Sequence, residues 1–162
     1  MKYCIANWKM NMNGSEAFNY LEMLGNFIYK NKEISEDVLM IICPPFTLIN
    51  WMSEIISDTR MRNVDSSVLN NAELGVQNIN PNDSGAYTGE ISIDMIKDCS
   101  VSWSIAGHSE RRSLFNESNE FINLKVKASL NNGISPILCI GETSEEREAG
   151  KTEEVLYNQL KD

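Results

Sequence analysis

The 162-residue sequence has a single histidine, few cysteines and little positive charge. The four cysteines, Cys4, Cys43, Cys99 and Cys139, lie far apart and form no CxxC pair. We therefore expect reduced thiols instead of disulfide bonds or a zinc site, and the lone His108 argues further against a metal centre. The formal net charge of -9 argues against nucleic acid or an anionic membrane surface as a partner, because both require a basic face.

Long apolar runs are also missing. No segment approaches the roughly 18 consecutive apolar residues of a membrane span. The first ten residues, MKYCIANWKM, contain no apolar stretch of signal-peptide length, so we expect a cytoplasmic protein with no membrane partner. The chain is 42% hydrophobic, which is enough to bury a sizeable core, and we predict a single domain over residues 1–162.

Five short apolar segments bounded by turn residues predict β-strands that are buried on both faces. They are YCIAN (Tyr3–Asn7), VLMIIC (Val38–Cys43), LGVQN (Leu74–Asn78), SWSIAG (Ser102–Gly107) and SPILCIG (Ser135–Gly141). The strand starts lie about 30 residues apart, which is the length of one βα unit. This spacing predicts a parallel sheet with helical crossovers.

Helical patterns fill most of the segments between these strands. They are residues 17–28, residues 48–56, Asp94–Cys99, Asn119–Asn132 and two segments after the fifth strand. Gly133 is predicted to end the fourth helix, and Thr143 and Thr152 are predicted to cap the last two. A long polar connection, Ser57–Glu73, has no clear pattern.

Two architectures fit five βα units. A doubly wound, flavodoxin-like sheet is complete with five strands, whereas a (β/α)8 barrel has eight. Strand order separates them, because the barrel runs 1-2-3-4-5 and the flavodoxin-like sheet runs 2-1-3-4-5. Polar, chemically capable side chains follow four of the five predicted strands, which is where barrel enzymes carry their chemistry.

Five motifs stand at or after these strand ends, in a fixed order. They are ANWKMN (Ala6–Asn11), PPF after the second strand, QNINPNDSGAYTGEIS (Gln77–Ser92), AGHSERR (Ala106–Arg112) and PILCIGETSEEREAGKTEEVLYNQL (Pro136–Leu160). Together they resemble the triosephosphate isomerase family. The resemblance implies an α/β fold, a (β/α)8 TIM barrel that is here incomplete, with parallel strands 1–5 and their helices.

The resemblance also implies an activity and its residues. The family interconverts dihydroxyacetone phosphate and glyceraldehyde 3-phosphate, in glycolysis and gluconeogenesis, through an enediolate and without a metal or organic cofactor. By the same resemblance, Asn7 and Lys9 bind the substrate, Lys9 and His108 are catalytic, and Ser109 and Glu110 support the site. Lys9 would offer a compact positive charge to a dianionic triose phosphate in an otherwise acidic protein.

His108 follows Gly107 at a predicted strand end and precedes a predicted helix that begins SERR. The positive end of a helix dipole disfavours an imidazolium, and a neutral ring can donate a hydrogen bond to enediolate oxygens. This behaviour is known for triosephosphate isomerase itself, so it agrees with the resemblance without supporting it independently. The alternative is a buried histidine whose partners are backbone groups.

The loop GAYTGE (Gly85–Glu90) has two interpretations. Its two glycines suit an ordinary surface turn. The resemblance implies instead that Tyr87, Thr88 and Gly89 insert into the neighbouring subunit of a homodimer, where Thr88 approaches the partner's substrate-binding residues.

Three parts of the family's machinery have no counterpart in the 162 residues. The family's general base is a glutamate after the sixth strand, in a segment similar to YEPVWAIGTG, followed by a lid and by phosphate-binding loops. We therefore expect these residues to be inactive alone, whether they are a truncated product, a fragment or part of an incomplete gene model. The alternatives are a non-catalytic remnant, a fragment that needs a complementing chain, and a flavodoxin-like binding domain.

Overall fold

The computed structural model describes residues 2–31, 37–57 and 71–161. Most of the long connection noted between Ser57 and Glu73, residues 58–70, lies outside the described residues. The sequence assigns no role to this segment.

Strands and helices alternate along the described residues as the sequence predicts. The strands are β1 (Lys2–Asn7), β2 (Val38–Cys43), β3 (Ala72–Val76), β4 (Trp103–Ala106) and β5 (Ser135–Leu138). The helices are α1 (Gly14–Lys30), α2 (Phe46–Ser57), α3 (Ile93–Asp98), α4 (Ser109–Leu114), α5 (Asn119–Asn131), α6 (Ser144–Glu148) and α7 (Thr152–Leu160). All five predicted strands are present, and their ends differ from the predicted ends by at most three residues.

The strands form one sheet in the order β1-β2-β3-β4-β5. β1 pairs with β2 in parallel from Lys2 opposite Val38 to Asn7 opposite Cys43, and β2 pairs with β3 in parallel. A flavodoxin-like sheet would place β1 between β2 and β3, so this alternative is wrong. The order is that of five consecutive units of a (β/α)8 barrel.

The chain divides into two compact units. The first unit comprises Met1–Gln77 and Asp94–Trp103, and the second comprises Asn78–Ile93 and Ser104–Asp162. The assignment of residues 1–162 to a single domain stays a prediction.

The core of the first unit lies on β2, β3 and the inner faces of α1 and α2. Its buried apolar residues include Ala17, Leu21, Ile28, Ile41, Ile42, Leu48, Met52, Leu74 and Val76. α1 begins at a capping box in which the Asn13 side chain accepts from two backbone amides and Glu16 bonds back to the backbone of Asn13. This cap pairs the amides that a helix start leaves without partners, and it sets where the buried stripe of α1 begins.

The core of the second unit forms between β4, β5 and α5. Ile105, Ile122 and Ile134 are buried, and the hydroxyl groups of Ser104 and Ser129 lie 2.9 Å apart in a buried hydrogen bond. α5 ends as predicted, because the residue after its cap is a glycine at φ 73° whose amide donates to the carbonyl of the last helical turn.

Burial of β1 and of β5 differs from the prediction that all strands are buried on both faces, because no residue of either strand is fully buried. Residues 2–5 are exposed, with Tyr3 57% and Ile5 43% exposed, whereas Ile41 opposite Ile5 is fully buried. β1 has a neighbouring strand on one side only, so its apolar pattern is not matched by a covering element in the described residues. An apolar run predicts a strand, but burial also requires something to lie against it.

The predicted cap at Thr152 is wrong. Thr152 is the first residue of α7, and the preceding Lys151 is the cap residue without a side-chain bond. The Thr152 hydroxyl instead donates to Glu142 Oε1 at 3.3 Å. The predicted capping box at Thr143 and Glu146 is confirmed at the start of α6. Within the residues that the structure describes, no helix is long and apolar enough to cross a membrane.

Candidate active site

The end of β1 carries the two residues predicted to bind substrate. Asn7 is the last residue of the strand, and its Oδ1 accepts a hydrogen bond from the backbone amide of Lys9 at 3.0 Å. Lys9 has φ 54°, in the left-handed region that costs a residue with a Cβ about 1–3 kcal/mol. Such strain persists only where surrounding contacts impose it, and here the side chain of Asn7 supplies one of them.

Gln77 supplies a second restraint on this loop. Its Nε2 donates to the carbonyl oxygen of Lys9 at 2.9 Å and to that of Cys43, at the end of β2, at 3.0 Å. One amide group thus ties the strained loop after β1 to the neighbouring strand. Gln77 belongs to one of the sequence motifs, and its position directly after β3 is the signal that could have indicated this role.

His108 occupies the N-cap position of α4, as predicted from the sequence. Its Nδ1 accepts a hydrogen bond from the backbone amide of Glu110 at 3.3 Å. The carboxylate Oε2 of Glu110 also lies 3.5 Å from Nδ1, an arrangement that would suit a protonated nitrogen. Because the amide hydrogen already occupies the lone pair of Nδ1, the geometry assigns the proton of a neutral ring to Nε2.

The peptide that precedes His108 is held by Arg112. The guanidinium donates to the carbonyl oxygens of Gly107 at 2.7 Å and Cys139 at 3.3 Å, and to Asn119 Oδ1 at 2.7 Å. Burial lowers the pKa of the guanidinium, an effect that nearby Cys139 and Glu117 oppose. Arg112 was part of a motif in the sequence, but no local pattern indicated that it spans three elements.

A buried ionic cluster lies between α4 and α5. Lys125 is fully buried, and its Nζ donates to Glu117 Oε1 and to Asn78 Oδ1, the latter at 2.6 Å. Arg111 Nε donates to the same Glu117 oxygen at 2.7 Å, whereas Glu117 Oε2 has no hydrogen-bond partner. Burial lowers the pKa of Lys125, and its hydrogen bond to Glu117 opposes that effect. The cluster was not predicted from the sequence, because Lys125 occupies a position on the buried stripe of α5 that apolar residues usually fill.

Glu142 is a carboxylate that follows β5, at the end of the strand where a catalytic base could lie. Its Oε1 accepts from Arg147 Nε at 2.7 Å and from the Thr152 hydroxyl. The bond from Arg147 is the main reason that the pKa of Glu142 lies below its ordinary value. A carboxylate held in its ionised form by two donors is a poor proton acceptor, which agrees with leaving it out of the catalytic residues.

The loop Gly85–Glu90 projects exposed side chains. Tyr87 is 47% exposed, and Thr88 and Gly89 are also exposed. Gly85 and Gly89 adopt φ 136° and 89°, and a Cβ on Gly85 would come within 2.9 Å of the Tyr87 ring. The Glu90 amide closes the loop by donating to the Tyr87 carbonyl at 3.0 Å. The backbone therefore requires glycine at Gly85 to keep this turn.

The structure brings some of the predicted site residues together. Asn7 contacts Lys9 within the first unit, and His108 contacts Glu110 within the second, where Ser109 is the exposed first residue of α4. A single site that combines both groups stays a prediction. Among the described residues, no group of three or more histidine, cysteine, aspartate or glutamate side chains could hold a metal ion. All four cysteines lie in the described part of the chain, and none forms a disulfide bond.

Comparisons with known proteins agree on one family. The family model described as triosephosphate isomerase matches residues 2–162. The triosephosphate isomerase of Trichodesmium erythraeum is 44% identical over 154 residues, which are 95% of this chain and 58% of that protein. The triosephosphate isomerase of Dictyoglomus thermophilum is 42% identical over 161 residues, which are 99% of this chain and 59% of that protein.

A solved structure extends the comparison to the fold. The crystal structure of triosephosphate isomerase from Bartonella henselae superposes with a TM-score of 0.81 at 34% identity, covering 99% of this chain and 60% of that one. This chain therefore spans about three fifths of the length of the relatives it matches. Its five βα units are part of a (β/α)8 barrel, and the chain belongs to the triosephosphate isomerase family.

Proposed function

We propose that this chain supplies the electrophile and part of the substrate-binding site of a triosephosphate isomerase that interconverts dihydroxyacetone phosphate and D-glyceraldehyde 3-phosphate. The observation that carries the proposal is the position of His108. The ring caps α4 with Nδ1 as an acceptor, so Nε2 bears the hydrogen that a carbonyl oxygen of the substrate requires. A donor with fixed orientation stabilises the charge that develops on that oxygen as the enediolate forms.

Lys9 provides the second part of the proposed site. Its exposed side chain follows β1, and its backbone is held in a strained conformation by Asn7 and Gln77. The restraint fixes the direction in which the lysine leaves the backbone, and a fixed ammonium group suits a dianionic triose phosphate. Asn7 is proposed to bind the substrate beside it.

The proton transfer itself needs a base that we do not assign within residues 1–162. Isomerisation moves a proton from one carbon atom to the adjacent one. The carbonyl group on one of these carbons becomes a hydroxyl group, and the hydroxyl group on the other becomes a carbonyl group. The family uses a glutamate after the sixth strand for this step, and Glu142 is engaged with Arg147. We therefore propose that residues 1–162 alone do not turn over triose phosphate.

The proposal extends to assembly and location. The exposed loop around Tyr87, Thr88 and Gly89 is proposed to contact a second copy of the chain in a homodimer. We propose a cytoplasmic location, which the absence of disulfide bonds among the four described cysteines supports, because reduced thiols are typical of that compartment.

A chimeric enzyme tests the proposal. It joins residues 1–162 to the part of the Trichodesmium erythraeum relative that lies beyond the matched region, so that the remaining strands are present. Purified free of host isomerase, the chimeric enzyme should isomerise dihydroxyacetone phosphate, and residues 1–162 alone should not. A folded chimeric enzyme without activity would contradict the proposed function and favour a non-catalytic remnant. Activity of residues 1–162 alone would show that the base lies within them.

A further inference from the structure

The side chain of Arg112 joins three separate elements of the second unit near His108. Its three acceptors lie after β4, after β5 and at the start of α5. A planar guanidinium presents donors in a fixed fork, so three well-separated acceptors define its position and it in turn defines theirs. A lysine ammonium, by contrast, is a single point of charge without this fork.

The bonds of Arg112 enclose the backbone of His108 from both sides. The side-chain Nε donates to the carbonyl oxygen of Gly107, which belongs to the peptide before His108. The backbone amide of Arg112 donates to the carbonyl oxygen of His108 at 3.1 Å, and Arg111 donates to the same oxygen at 2.8 Å. Both peptide planes that flank the histidine are therefore held.

Gly107 shows how closely the guanidinium approaches this peptide. Gly107 is buried, has φ 71°, and a Cβ built on it would lie 2.8 Å from Arg112 Nη2 and 3.1 Å from the Cys139 carbonyl oxygen. The absence of a side chain thus leaves the space that Arg112 enters. The conformation of Gly107 and the position of Arg112 depend on each other.

The tautomer of His108 depends on the same backbone. His108 has φ -54° and ψ 140°, the conformation that turns its Nδ1 toward the Glu110 amide. Rotation of the Gly107–His108 peptide would move the ring away from that amide, and Nδ1 would lose the bond that keeps its lone pair occupied. We propose that Arg112 is a positioning residue that sets the orientation and the ring tautomer of His108. The importance of this role for catalysis rests on the proposed function, but the role itself does not.

Nitrogen NMR of residues 1–162 tests the proposal directly, because His108 is the only histidine and its ring signals need no separation from others. The ring nitrogens are measured with labelled histidine near pH 8, where an ordinary imidazole is neutral (pKa about 6.5). In the unmodified chain, the two nitrogen shifts should be well separated, with Nδ1 unprotonated. In Arg112→Met, the separation should fall, because a ring that is no longer held exchanges between both tautomers.

Arg111→Met is the matched control. It makes the same substitution one residue earlier on α4, but its side chain bonds to Glu117 instead of the peptide before His108. The control should keep the separated shifts. Unchanged shifts in Arg112→Met, or an equal change in both variants, would overturn the proposal, since the second result would reflect a general loss of α4.

Two further measurements decide the outcome if Arg112→Met does not fold or the chain self-associates. Arg112→Lys keeps the positive charge, but one ammonium lacks the fork that reaches the three acceptors, so a reduced shift separation supports the proposal and an unchanged one overturns it.

In the chimeric enzyme, Arg112→Lys should lower kcat at least tenfold with KM nearly unchanged, and a normal kcat would overturn the proposal. An inactive parent chimeric enzyme would instead contradict the proposed function and leave the NMR result to decide on Arg112.

Discussion

The residues that follow β1 and β4, Lys9 and His108, are held in position by different kinds of contact. After β1, Lys9 is exposed and its backbone is strained, and two amide side chains, those of Asn7 and Gln77, hold the loop. After β4, His108 is half-buried in an ordinary capping conformation, and a charged residue, Arg112, holds the peptide before it. In the first case the observed restraints act on the backbone of the lysine, whereas in the second they also include a hydrogen bond to a ring nitrogen of the histidine.

Lys9→Met is expected to have the largest effect, since it removes the one cation assigned to the substrate phosphate. Isomerisation by the chimeric enzyme should become undetectable, and inhibitors with a phosphate group should bind more weakly. Enzyme assays and inhibitor titrations measure both effects. Lys97→Met, which changes an exposed lysine of the same unit, should leave turnover unchanged. Near-normal turnover in Lys9→Met would remove Lys9 from the site.

His108→Gln is expected to lower kcat of the chimeric enzyme by roughly 10²- to 10⁴-fold, the contribution of a positioned acid or electrophile. The fold should persist, because a glutamine at the cap position can still offer an acceptor to the start of α4. Steady-state kinetics and circular dichroism measure the two properties separately. The interpretation as a structural histidine predicts the reverse, loss of folded protein with normal kcat in the fraction that folds.

Lys125→Met tests the buried ionic cluster of the second unit. The substitution leaves Glu117 buried with fewer donors, and losing one partner of a buried pair costs about 3 kcal/mol or more in the free energy of unfolding. Urea unfolding of residues 1–162 measures it. Lys127→Met, two residues on along α5 and exposed, should change stability by about 0.5 kcal/mol or less. Equal effects of the two substitutions would show that Lys125 contributes little.

Replacing both members of the pair sharpens this result. Lys125→Met combined with Glu117→Leu removes the buried charge that the single substitution leaves behind, so the double variant should recover much of the lost stability. If the double variant is less stable than Lys125→Met, packing and the bond to Asn78 outweigh the ionic interaction.

Substitutions in the two capping boxes are expected to have the smallest effects. They also allow the two units to be compared, because one box begins α1 in the first unit and the other begins α6 in the second. Asn13→Ala should lower the free energy of unfolding by about 1 kcal/mol, because it removes the cap of α1, a helix of 17 residues whose inner face is buried between Ala17 and Ile28. Thr143→Ala should have a smaller effect, since α6 has five residues and none of them is buried. Urea unfolding compares them, and a larger loss in Thr143→Ala would contradict this ranking.

Local patterns predicted most of the fold. The five strands, the helix after His108, the end of α5 at Gly133 and the cap at Thr143 all depend on short-range backbone geometry, which the nearby residues specify. The errors lie where a distant contact decides. Thr152 bonds to Glu142 instead of capping its own helix, and β1 is exposed because burial depends on what lies against a strand.

The candidate site divides in the same way. The motifs indicated Asn7, Lys9 and His108, but the restraints on them were not predictable from neighbouring residues. Gln77 reaches a backbone carbonyl 68 positions away, and Arg112 reaches one 27 positions away. Long side chains have many possible partners in an unfolded chain, and only packing selects one.

By itself, the sequence determined the order of βα units, the family and the identity of the residues with suitable chemistry, because these depend on residue type and spacing along the chain. The tertiary structure alone decided the contact of Gln77 with the strained backbone of Lys9, the contact of Arg112 with Cys139, and the burial of Lys125 against Asn78, 47 positions away. The physical reason is that desolvation and hydrogen-bond partners depend on which distant groups meet in space. A lysine, which by residue type is expected at the protein surface, can thus be buried in the core.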